Sequence, residues 1–140
     1  MLRRAVICLA GMLAMAKPLP AEARATTFAI DYNNQTWRPP NGRPQTQASV
    51  KQLILRAVQA AHWQAQSVTD ALIIASLDVR GKHNIKVAIS FNETSFSVTY
   101  NSSENMDAWA GSDGRILIHP NYNAWTQRLV TAIRAELERI

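Results

Sequence analysis

The sequence predicts an α+β fold: a two-layer sandwich in which an antiparallel sheet of three to five strands is covered on one face by an N-terminal and a C-terminal helix. Three observations carry this reading. Val50, Leu53, Ile54, Ala57, Val58 and Ala61 recur at three- and four-residue spacing, the stripe of an amphipathic helix. Between Ile73 and Tyr100 the apolar period shortens to two, as in strands that bury one face. From Trp125 the helical spacing returns, with Leu129, Ala132, Ile133, Leu137 and Ile140 on a second stripe.

The elements follow in order. The first helix is expected over about residues 48–62, with Ser49 as its cap and Lys51, Gln52, Arg56 and Gln59 on its wet faces. Gln64 to Val68 reads as a short strand leading into the sheet. Ile73, Ala75, Leu77 and Val79 share one face of the next strand, and His83, Ile85, Val87, Ile89 and Phe91 one face of the strand after it. Phe96, Val98 and Tyr100 repeat the pattern. Arg80-Gly81-Lys82 and Asn92-Glu93-Thr94 are short enough to be hairpin connections. A polar, glycine-containing loop then leads to Arg115-Ile116-Leu117-Ile118, a further short strand, and to the C-terminal helix. The helices are needed because a sheet with one apolar face must be covered on that face.

Organisation along the chain is uneven. Residues 1–25 have the layout of a secretory signal peptide: Arg3-Arg4, an apolar run from Ala5 to Ala16, a break at Lys17-Pro18-Leu19-Pro20, and small-x-small sites ending at Ala23 and Ala25. The run is too short to span a bilayer, so no stable membrane anchor is expected after cleavage. Lipid attachment is not expected either, since Cys8 precedes Leu9-Ala10-Gly11 and Met12 stands where an acylated cysteine would be. Residues 26–46, rich in Pro, Asn and Gln, read as a leader, although Phe28, Ile30, Tyr32 and Trp37 alternate enough to pin it as an edge strand. Residues 47–140 read as the single domain.

Cleavage changes the charge balance. The full chain carries 15 basic and 10 acidic residues for a net charge of +5. Removal of residues 1–25 takes away Arg3, Arg4, Lys17, Arg24 and Glu22, leaving 11 basic and 9 acidic residues and a net charge of +2. So small a surplus gives no case for nucleic acid as a partner. It also takes Cys8, the one cysteine, so the remaining chain has no disulfide to draw on.

At Ile118-His119-Pro120-Asn121-Tyr122-Asn123-Ala124-Trp125, followed by Leu129, the chain resembles a small, uncharacterised bacterial envelope lipoprotein family whose members end in Ile-His-x-Asn-Tyr-Asn-x-Trp-x-x-x-Leu. The resemblance extends to Ile73–Arg80 and Ser95–Tyr100 and covers about residues 49–138. It implies a periplasmic or secreted envelope domain and brings no activity with it. The chain departs from the family at Met12, and its loop from Ser103 to Gly114 is longer.

Candidate sites are sparse. His119, Asn121, Tyr122 and Asn123 gather at the start of the C-terminal helix, where unpaired N–H groups and polar side chains can hold a small polar ligand or an anion, or simply cap the helix. Leu72 and Ile74 fall on the wet sheet face and are candidates for contact with another envelope protein. His62, His83 and His119 lack the spacing of a zinc site, and no acidic loop matches a calcium-binding pattern, so no metal is expected. No phosphate loop, nucleophile elbow or cofactor motif occurs. The expectation is a non-enzymatic binding or interaction module without a cofactor; the alternative is a small-ligand carrier or hydrolase built around His119.

Overall fold

Two antiparallel sheets and two helices make up the computed structural model, which describes residues 26–139; the expected signal segment, with Cys8 and Met12, lies outside the described residues, as does Ile140. The elements are β1 (Thr27–Phe28), β2 (Tyr32–Thr36), a 3-10 turn (Pro40–Gly42), α1 (Gln47–Ala60), β3 (Gln64–Thr69), β4 (Leu72–Val79), β5 (His83–Phe91), β6 (Ser95–Glu104), β7 (Trp109–Ala110), β8 (Ile116–Ile118) and α2 (Asn121–Leu137). The larger sheet has the order β2-β6-β5-β4-β3 and the smaller β1-β8-β7. The fold is α+β, as the two apolar periods require. The second sheet was not foreseen. No helix among the described residues is long and apolar enough to cross a membrane.

The first helix begins slightly earlier than the apolar stripe implies. Thr46, not Ser49, is its cap: the Thr46 hydroxyl accepts from the Ser49 amide at 3.1 Å, while the Ser49 hydroxyl donates to Gln45 Oε1 at 2.7 Å. The helix closes through His62, which takes a left-handed φ of 68°. Two bonds then tie up its last carbonyls, His62 N–H to Gln59 O and Trp63 N–H to Val58 O, both 3.0 Å. Val58 and Trp63 are both buried beside this cap, so the helix ends where its last turn meets the core.

The larger sheet buries one face as its alternation predicts. β4 pairs with β5 in unbroken register from Leu72↔Ser90 to Val79↔His83, which aligns Ile73 with Ile89 and Ala75 with Val87. β6 continues the rows with Val98 beside Ile89 and Phe96 beside Phe91. Arg80 and Gly81 both take left-handed φ, 59° and 67°, the combination that lets a tight hairpin follow the twist of its strands. At the next turn Asn92 Oδ1 accepts from the amides of Thr94 and Ser95, each at 2.8 Å, and so holds the β5–β6 connection.

Residues 26–46, expected as a leader ahead of a domain beginning at 47, are built into the fold. β2 is the fifth strand of the larger sheet, with Tyr32 opposite Val98 and Gln35 opposite Phe96. Trp37 follows it into the core, its ring centroid 6.2 Å from that of Phe96. Arg134 of α2 fastens the strand from above, donating to Gln35 Oε1 at 2.7 Å and to Thr36 O at 3.3 Å. The polar composition that signalled a linker reflects an edge strand interrupted by a bulge, where Asn34 takes a φ of 52°.

The buried side of α2 is rotated relative to the stripe read from the sequence. Tyr122, Thr126, Leu129, Val130, Ile133, Glu136 and Leu137 are buried, whereas Trp125 and Ala132 are half-buried at its margin. Thr126 is tolerated because its hydroxyl donates back to Tyr122 O at 2.9 Å. Glu136 is tolerated because Arg56 of α1 and Arg139 reach its two carboxylate oxygens at 3.2 and 3.1 Å.

Candidate functional site

The residues expected to form a site at the start of α2 are brought together, and the fold uses most of their polar groups itself. The His119 amide donates to Met106 O at 2.9 Å, and His119 Nδ1 accepts from the Asn121 amide at 3.1 Å. That bond uses the Nδ1 lone pair and leaves Nε2 as the ring nitrogen that can carry a proton. The His83 ring lies beside it, centroids 6.5 Å apart, and is held by a 2.7 Å bond from Nδ1 to Asn105 O. Asn105 in turn donates to Lys82 O at 2.9 Å, so the two histidines belong to a seam that joins the β4–β5 hairpin, the loop after β6 and the start of α2.

Asn123 has a comparable structural role. Its Oδ1 accepts from the Ile30 amide and its Nδ2 donates to Phe28 O, both at 2.9 Å. One side-chain amide thus satisfies a donor and an acceptor of the backbone around β1, replacing a missing strand neighbour. Tyr122 is fully buried, edge-on to Tyr100 with centroids 5.7 Å apart. Its hydroxyl has no hydrogen-bond partner among the described residues. Burial, then the nearby Asp31 carboxylate and the phenols of Tyr100 and Tyr32, push its proton affinity far above the ordinary phenol range. Of the four, only Asn121 is exposed.

Leu72 and Ile74 are half-buried on the outer face of the larger sheet. Ile74 is flanked across the strands by Gln66 and Ala88, Leu72 by Thr69 and Ser90. The more strongly exposed apolar side chains are Phe28, Ile30, Val68 and Trp109, at 39%, 48%, 51% and 54%, with Val68 on the edge strand β3 of the larger sheet.

Strand pairing explains why Phe28 and Trp109 come together. Leu117 of β8 is opposite Phe28 of β1 on one side and Trp109 of β7 on the other. The three side chains therefore form one row across the smaller sheet, on the face opposite to the fully buried Ile118. The Arg115 guanidinium lies 3.6 Å from the centroid of the Phe28 ring, a cation–π contact at the margin of the row. Sequence reasoning missed this surface. The available signal was the run Ile116-Leu117-Ile118, in which Leu117 must face away from its neighbours.

Beside the row is a cleft of about 410 Å³ lined by Ala29, Asp31, Tyr100, Asp113, Gly114, Arg115 and Ile116. Its two carboxylates are positioned by the backbone: Asp31 Oδ1 accepts from the Tyr100 amide at 3.1 Å, and Asp113 Oδ1 from the Arg115 amide at 3.0 Å. Arg115 borders both cleft and row, which joins an apolar platform to a rim of mixed charge. No three His, Cys, Asp or Glu side chains among the described residues are grouped to hold a metal ion. No protein-family model, curated protein or solved structure matches the chain.

Proposed function

We propose that this chain is an exported envelope protein that works as a non-enzymatic binding module, docking another envelope protein on the outer face of its smaller sheet. The observation that carries the reading is the Phe28–Leu117–Trp109 row with Arg115 at its edge. Aromatic and arginine side chains dominate the energetics of protein interfaces, and an exposed apolar row rimmed by charge is the usual form of a contact surface. The row is rigid, because Ile118 beneath it is in the core and Asn123 clamps β1 from behind. Export rests on the Arg3-Arg4, apolar and Ala-x-Ala pattern of residues 1–25, and the envelope setting on the resemblance at Ile118–Leu129. The alternative of a carrier or hydrolase around His119 gains no support from side chains already engaged within the fold.

Affinity capture from a periplasmic extract tests the reading. Trp109→Ala and Phe28→Ser should lose the partner that the native chain retains, with binding weakened roughly 30-fold or more if Trp109 is an anchor of about 2 kcal/mol. Leu72→Asp/Ile74→Asp, on the other sheet, should retain it. Capture lost on the second pair and kept on the first would move the surface to the larger sheet. Intact mass of the periplasmic protein tests export: a mass that includes residues 1–20, or an acyl adduct, would contradict it.

A further inference from the structure

A second cleft, of about 360 Å³, opens where the end of α1, the end of β4 and the second turn of α2 meet. Its inner side is apolar. Trp63, just past the cap of α1, is buried, Leu77 and Val79 share the inward face of β4, and Trp125 of α2 is half-buried. Its exposed residues include two arginines, Arg80 of the β4–β5 hairpin and Arg128, one turn beyond Trp125. Asp78 borders the cleft as well, but it stands between Leu77 and Val79 in β4, so its side chain leaves from the opposite face of the sheet. Among the described residues neither arginine is in an ion pair, a side-chain hydrogen bond or a cation–π contact. Arg80 is also costly where it stands. It takes a φ of 59° directly before Gly81 at 67°, and the Lys82 amide closes the turn on Val79 O at 3.0 Å. Asn-Gly makes such a turn most easily, because asparagine enters the left-handed region more readily than longer side chains do. The strain at Arg80 is the kind that a fold keeps for a function, and here it sets a second guanidinium group beside the cleft that Arg128 already borders.

We infer that this cleft binds a small organic anion, with an apolar body against Trp125 and a carboxylate or phosphate head at Arg80 and Arg128. A half-buried tryptophan keeps part of a flat apolar face open to a ligand. Two guanidinium groups bordering one cleft without an acidic partner repel each other unless an anion balances them, and the guanidinium fork matches the oxygens of a carboxylate or a phosphate. Head and body are both needed, because the charged and the apolar sides belong to the same concavity. Its volume is at the small end of the range for ligand sites, which suits a single ring system or a short alkyl chain. The occupant is therefore a small molecule, unlike the protein partner of the Phe28–Leu117–Trp109 row. The cleft shares no residue with that row and does not depend on it.

Isothermal titration calorimetry of the purified chain with octanoate and with octyl phosphate, which share a body and differ in the head, tests the inference. At least one of them should bind saturably at a single site, and the tighter of the two identifies the head. Octanol, which lacks the charge, and acetate and inorganic phosphate, which lack the body, should bind roughly tenfold more weakly or not at all. Arg80→Asn supplies the residue that the turn prefers, so Tm should not fall, yet binding should weaken roughly tenfold through loss of one charge-assisted contact. Arg128→Gln, at an exposed helix position, should weaken it to a similar extent. The inference is overturned if neither anion binds saturably, if octanol binds as tightly as the anions, or if both arginine variants leave the affinity unchanged. Binding lost on Trp109→Ala and kept on the arginine variants would overturn it too, by assigning the anion to the smaller sheet.

Discussion

Tyr122→Phe isolates one oxygen atom. The ring is fully buried, packed edge-on against Tyr100, and its hydroxyl has no partner among the described residues. An unpaired buried hydroxyl costs about 1–3 kcal/mol relative to one left in water. Phenylalanine retains the ring and its contacts and removes that cost, so the variant should be more stable than the native chain by about 1–2 kcal/mol. For a domain near this size that is a rise in Tm of roughly 4–8 °C. Urea and thermal denaturation followed by circular dichroism measure both quantities. The variant should also change the alkaline limb of stability. In the folded chain Tyr122 holds its proton well above the ordinary phenol value of 10.0, while in the unfolded chain it releases it near that value. The folded state then binds more protons than the unfolded one, so stability is unaffected by this group below about pH 10 and falls above it, by up to about 1.4 kcal/mol per pH unit. Tyr122→Phe should lack that slope. A variant destabilised by 1 kcal/mol or more would refute the reasoning, because it would mean that the hydroxyl donates to an acceptor such as the Asp31 carboxylate.

Two further predictions concern how the first described residues are held. A chain beginning at Thr46 should fail to unfold cooperatively in urea, since it lacks β2 and Trp37 and leaves Phe96 and Val98 without their neighbours; a normal cooperative transition would show that β2 is accessory. Asn123→Ala removes the bonds to Phe28 O and Ile30 N and should destabilise the fold by about 1–3 kcal/mol, with limited proteolysis now cutting ahead of Asp31. An unchanged digestion pattern would mean that pairing with β8 alone secures β1.

What could be read in the sequence was whatever depends on local period. The stripe of α1 and the alternation of β4, β5 and β6 follow from residues close in the chain, and those elements were read with boundaries correct to a few residues. β1 and β2 showed only as a loose alternation of Phe28, Ile30, Tyr32 and Trp37 in a leader, because what makes them strands is remote: the partner of Tyr32 is Val98, and that of Thr27 is Ile118. Asn33-Asn34-Gln35 looks like a linker until the strand beside it is known. The candidate site divides in the same way. The cluster His119–Asn123 was visible as a motif, but its use was not, because what Asn123 holds is the backbone of residues more than ninety positions away. The Phe28–Leu117–Trp109 row needs two strand pairings before it exists at all.

The long-range anchoring of the first described residues also sets the order in which the molecule can assemble. β1 waits for β8, β2 waits for β6, the Phe28 and Ile30 backbone waits for Asn123, and the Arg38 amide finds its acceptor only in Glu138. A ribosome delivers those partners last. The hairpins β3–β4–β5–β6 can form as they emerge, since their contacts are between near neighbours in the chain, but the N-terminal end has nothing to close onto until the final helix is made. A chain arranged this way delays its own completion: its first described strands stay unpaired until the last helix has been made, and the fold closes by joining its two ends.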